Sequence, residues 1–142
     1  MDRTRLLDEA VSARDKSYSP YSGFKVGAAL YTKNGKIYTG CNIENAAYTP
    51  TICAERTAFA KAVSEGEQEF LAIAVAGWGN EPGFAYPCGV CRQVMMEFCD
   101  PFTFIILITD GTGYREHTLA ELLPQGFGPN STLMAENRNK KY

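Results

Sequence analysis

Histidine is nearly missing from this chain: His117 is the only one among 142 residues. With no G-x-S-x-G either, a Ser-His-Asp triad has no support, and neither a Walker loop nor a dinucleotide fingerprint occurs. Long apolar runs are also lacking. The strongest, "FLAIAVAGW" and "FIILI", are far too short to span a bilayer, so no membrane partner is expected. The start, "MDRTRLLDEAVSARDKS", has interspersed charges and no apolar signal region, which makes a cytoplasmic location the expectation. No charge sign dominates: 14 Lys and Arg against 16 Asp and Glu give a net charge of −2. Without a cationic stripe, nucleic acid is not an expected partner. Internal repeats and low-complexity segments are absent. What is present, with 45% hydrophobic and 21% charged residues, is the composition of an ordinary globular protein. One domain over residues 1–142 is expected, with an irregular, flexible tail after about residue 130. The Asn130-Ser131-Thr132 glycosylation pattern is read as chance.

Five cysteines stand against the single histidine. In a cytosolic setting they favour metal binding or catalysis over a disulfide framework. Residues 2–17 read as an amphipathic helix, with Leu6, Leu7, Ala10, Val11 and Ala13 or Arg14 at helical spacing, broken by "YSPYSG". "FKVGAALYT" and "KIYTGCN" flank Asn34-Gly35, a strong hairpin signal. A loop leads to "TICAERTAF", the start of a helix running to about Ser64 and stopping at Gly66. "FLAIAVAG" reads as a buried strand. The next helix starts after Pro87 and runs through about Phe98, followed by the buried strand "FTFIILIT". "YREHT" returns beside it, and a short helix forms around "LAELLP". The order α-β-β-α-β-α-β-β-α implies a mixed sheet with helices on its faces and a parallel central pair.

Cys88 and Cys91 form a C-x-x-C in "PCGVC". Alone this fits a redox pair, half a zinc site or two buried small residues. Positions three apart on a first helical turn share a face, so both sulfurs can reach one ion, and the helix N-terminus favours thiolate. Cys53 has the same setting in the earlier helix. Helices before and after one strand can bring their N-termini to one end of the sheet, so three thiolates could converge on a metal and leave a fourth position for water. Cys41 and Cys99 read as buried small hydrophobes, and His117 as a surface residue of a strand or turn. Glu55, two residues after Cys53, could approach a water in that fourth position. Arg56 could offset the −1 charge of three thiolates around Zn²⁺.

With "PCGVCRQVMMEF" added to "TICAERTAF", the chain resembles the small zinc-dependent cytidine deaminases with three cysteine ligands. "YSPYSGFKVGAAL", "GCNIENAAY" and "ELLPQGF" carry the resemblance over nearly the whole sequence. It implies a three-layer α/β/α sandwich with a mixed five-stranded sheet, as in the cytidine deaminases. It implies one Zn²⁺ per subunit on Cys53, Cys88 and Cys91, with Arg56 compensating charge beside them. Glu55 would shuttle a proton from zinc-activated water to the pyrimidine, which is attacked at C4 and loses ammonia, as in zinc deaminases generally. Cytidine and 2′-deoxycytidine would become uridine and 2′-deoxyuridine, in pyrimidine salvage. Asn42 and Glu44 resemble the pair that binds the ribose 3′-hydroxyl, Phe24 the aromatic wall beside the base, and Ala54 a backbone contact to it. The implied assembly is a homotetramer with shared active sites, in which Tyr48 and Phe127 reach into a neighbour's pocket.

A blasticidin-type deaminase would share the zinc motif, but "CNIENAAY" favours an ordinary nucleoside pocket. A polynucleotide cytosine deaminase fits less well: the chain is short and has no cationic stripe. A thiol redox protein would leave Cys53 and Glu55 unexplained, and a structural zinc module would need a fourth protein ligand.

Overall fold

The computed structural model describes residues 1–129; the tail expected after about residue 130, with its Asn-Ser-Thr pattern, lies outside them. The elements are α1 (Arg3–Arg14), β1 (Lys25–Thr32), β2 (Ile37–Cys41), α2 (Ala54–Ser64), β3 (Phe70–Trp78), α3 (Gly89–Phe98), β4 (Ile105–Thr109), β5 (Tyr114–Thr118) and α4 (Leu119–Leu122). Their order is the one expected from the sequence.

Local chemistry sets their ends. Asp2 caps α1, its carboxylate accepting from the Arg5 N–H at 3.1 Å. The helix stops at Arg14, short of the expected Ser17. The reason is a tertiary pairing: the Tyr18 N–H donates to the Asn42 carbonyl at 3.1 Å, and Tyr18 bridges to Ile43. Asn34-Gly35 turns the β1–β2 hairpin, with Gly35 at a φ of +88°. Gly66, at +97°, follows α2 in the left-handed conformation common after helix ends.

The sheet runs β2-β1-β3-β4-β5. β3 and β4 are its parallel pair, joined by the crossover through α3, and the other pairings are antiparallel. The two faces differ in residue size. Ala29, Ala72, Ala74 and Ala76 pack with Leu6 and Ala10 of α1. Leu30, Ile73, Val75, Ile106 and Ile108 pack with Ala58, Phe59 and Met95 of α2 and α3. Helices therefore cover both faces, giving the expected three layers. No helix of the described residues is long and apolar enough to cross a membrane.

Candidate active site

α2 precedes β3 and α3 follows it, so both helix N-termini lie at the carboxyl end of β3. In open α/β sheets that is where ligands bind. Cys53 is the N-cap residue of α2 and Cys88 that of α3, both with extended backbones. Their sulfurs lie 3.8 Å apart. Cys91, one turn into α3 and buried, completes a cluster whose three sulfurs all lie within 4.8 Å of one another. Zinc–sulfur bonds of about 2.3 Å at tetrahedral angles place sulfurs about 3.8 Å apart. The cluster therefore fits a zinc ion.

The thiols act on one another's protons. The neighbouring Cys91 thiol pulls the Cys53 thiol well below its ordinary range, helped by Arg56, whose Nη2 lies 3.5 Å from the Cys53 sulfur. Cys91 is pushed up, first by its hydrogen bond to Cys53 and then by burial. Arg56 is held more firmly protonated, chiefly by the same Cys53 sulfur. A fixed cation thus stands beside the cluster. Glu55 is only 4% exposed. Burial, opposed in part by backbone hydrogen bonding, raises its carboxyl to about 7.

A cavity of about 250 Å³ opens beside the sulfurs and is lined by Cys53, Ala54, Glu55 and Cys88, with Phe24, Asn42 and Glu44 around it. That volume lies just below the roughly 300–1,000 Å³ common for pockets that hold drug-sized molecules. Asn42 is buried: its amide oxygen accepts from the Val26 N–H at 2.9 Å, and its nitrogen donates to the Phe24 carbonyl at 2.8 Å. Glu44 accepts from the backbone N–H groups of Tyr21 and Ser22, at 2.9 and 3.1 Å, and from the Ser22 hydroxyl. A larger hollow of about 540 Å³, between the α3 end and the chain after α4, brings a carboxylate from Asp100 but no thiol.

Tyr48 and Phe127 lie outside the 250 Å³ cavity and are 75% and 58% exposed. Tyr48 has a φ of +60° and its ring meets Tyr21 edge-on. Cys99 is buried as expected, but Cys41 is not: it is half-buried, and its thiol donates to the Lys16 carbonyl at 3.4 Å. Position on an edge strand, where the sulfur meets a turn and not the core, accounts for this. Ser22, Thr51, Ala85 and Tyr86 also line the cavity, and no sequence pattern marks them. They sit on irregular loops, where periodicity gives no signal; closeness in sequence to Phe24, Cys53 or Cys88 is the available clue.

Thiols converging at two helix starts beside a sequestered carboxylate and a small-molecule cavity mark a zinc-dependent hydrolytic enzyme. Residues 1–107 match the family described as "Cytidine and deoxycytidylate deaminase zinc-binding region", and the chain belongs to that family. It is 50% identical over 127 residues to the cytidine deaminase of Sporosarcina psychrophila, covering 89% of this chain and 92% of that one. It is likewise 50% identical to the cytidine deaminase of Halalkalibacterium halodurans, with 89% and 95% covered. The crystal structure of cytidine deaminase from Burkholderia pseudomallei superposes with a TM-score of 0.82 at 46% identity, over 89% of this chain and all of that one.

Proposed function

We propose that the protein hydrolyses cytidine and 2′-deoxycytidine to uridine and 2′-deoxyuridine with release of ammonia, as a step of pyrimidine salvage. The observation that carries this is the sequestered Glu55 carboxyl on the same cavity wall as the thiol cluster. Cys53, Cys88 and Cys91 would hold zinc, which would supply the Lewis acidity that makes the attacking water a better nucleophile near neutral pH. Glu55 would take one proton from the attacking water on a carboxylate oxygen and deliver it to N3 of the ring, then move the remaining proton of the C4 hydroxyl to the departing amine as the C4–N bond breaks. One carboxylate suffices because each delivery returns it to the ionised form that takes the next proton. Arg56 holds the thiolate charge in check.

Asn42 and Glu44 bind the ribose 3′-hydroxyl, Phe24 walls the base, and the Ala54 backbone contacts it. Among the described residues lining the cavity there is no lysine, arginine or histidine, and Glu44 and Glu55 are both acidic. A 5′-phosphate would meet no cation there, which favours a nucleoside over a nucleotide or polynucleotide. One domain over residues 1–142 assembles as a cytoplasmic homotetramer, with Tyr48 and Phe127 reaching neighbouring cavities. Neither nucleic acid nor a membrane is a partner.

Turnover by the zinc-loaded protein tests the reading, following ammonia release from cytidine, 2′-deoxycytidine, deoxycytidylate, blasticidin and a cytosine-containing single strand. The nucleosides should be turned over at least about 100-fold more efficiently than the others. Preferred turnover of the nucleotide, the antibiotic or the strand would replace this reading with that substrate class.

A further inference from the structure

The segment Phe84–Pro87, which delivers Cys88 to the thiol cluster, is anchored from outside the cavity by β5. Ala85 and Tyr86 line the cavity, and Tyr86 is two residues from Cys88. The Tyr86 hydroxyl meets two β5 residues that do not line the cavity. Arg115 Nη1 donates to it at 3.2 Å, and His117 Nε2 lies 3.4 Å from it. The rings of Tyr86 and His117 are 5.5 Å apart.

The donors and acceptors close consistently. His117 Nδ1 faces the Glu121 carboxylate at 3.5 Å, which favours a proton on Nδ1 and leaves Nε2 free to accept. The Tyr86 O–H can then donate to His117 while its oxygen accepts from Arg115. Glu121 is itself fixed, accepting from the Thr118 N–H at 3.0 Å in a capping box. Arg115 also stacks over the Phe84 ring at 4.0 Å. β3 adds a steric stop: a Cβ on Gly77 would lie 2.7 Å from that of Ala85. From α3, Arg92 Nε donates to the Pro87 carbonyl at 2.7 Å.

We propose that Tyr86 is a substrate-contacting wall of the cavity and that Arg115 and His117 are its positioning residues, fixing the wall from β5. This rests on the cytidine reading above. Tyr86 makes and breaks no bond in the reaction, so its effect belongs to substrate binding. The lone histidine, which supplies neither a zinc ligand nor a triad member, gains a role here.

The test is steady-state cytidine turnover by the zinc-loaded wild type, Tyr86→Ala, Tyr86→Phe, His117→Ala, His117→Gln and the Tyr86→Phe/His117→Ala double variant, with zinc content measured for each. Tyr86→Ala should raise KM about tenfold while kcat falls no more than about threefold, at full zinc content. Tyr86→Phe and His117→Ala should each raise KM about threefold. Their double variant should match either one alone, because both act through the same hydroxyl. His117→Gln, which keeps an acceptor, should restore most of the binding. An unchanged KM in Tyr86→Ala, additive effects in the double variant, or loss of kcat and zinc together would overturn the proposal. A wild type that leaves cytidine unchanged would instead overturn the functional reading and this proposal with it.

Discussion

Glu44 shows how a single carboxylate is kept charged in a small cavity. The Ser22 hydroxyl is the largest of the influences that hold its carboxyl below the ordinary carboxylate range, and the N–H groups of Ser22 and Tyr21 add to it. A depressed folded-state value means that the stabilisation is present above the unfolded value of about 4.3 and is lost as pH falls through the lower folded value. Ser22→Ala should therefore raise the Glu44 value. The thermal stability gap between variant and wild type should be present at neutral pH and close as pH drops below about 4. Melting curves across that range check this, and a gap that ignores pH would contradict it. Cys53, Cys88 and Cys91 were legible as a cluster because each sits at a helix start that periodicity could place. Glu55 followed from its spacing to Cys53. Ser22 and Tyr86 were not legible, since their roles come from loops folding back on the sheet. Cys41 departs from the burial expected of it because composition says nothing of which strand lies at the edge.

The helices approach the sheet closely enough for two glycines to be required. A Cβ on Gly27 would lie 2.1 Å from the Ala10 carbonyl oxygen and 2.2 Å from the Arg14 nitrogen, both backbone atoms of α1. A Cβ on Gly40 would lie 2.5 Å from the Ala54 carbonyl oxygen and 2.6 Å from the Ala58 nitrogen of α2. Alanine at either place must displace a helix, at a cost of about 1–3 kcal/mol or more, lowering Tm by roughly 3–10 °C. The consequences should differ by face. Gly27→Ala moves α1, on the side away from the thiols, and should keep its zinc. Gly40→Ala pushes on the first turn of α2, next to Cys53 and Glu55, and should lose zinc affinity and turnover as well. Metal analysis alongside melting separates the two, and equal zinc loss in both would contradict this account. At this scale the sequence was highly legible. Each strand is an apolar or alternating run with turn residues at its ends, and each longer helix has its own start and stop. The α1 terminus was overshot because the Tyr18–Ile43 pairing joins residues 25 apart in sequence, and no local pattern encodes it.

Exposed aromatic residues, among them Tyr48 and Phe127, are what one chain alone leaves uncovered. The tetramer reading covers them with neighbouring copies. Light scattering should then give four times the 15.6 kDa chain mass, and Phe127→Ala should raise KM for cytidine by about tenfold, the worth of one aromatic contact. A monomer with full activity would contradict shared cavities. The central claim, that zinc and Glu55 together deaminate cytidine, has its most direct test in one comparison: cytidine turnover by zinc-loaded wild type and zinc-loaded Glu55→Gln. Wild type should release ammonia, and the variant should retain its zinc while losing turnover by at least about 100-fold. An inactive zinc-loaded wild type, or a Glu55→Gln protein that still turns cytidine over at the wild-type rate, would contradict it.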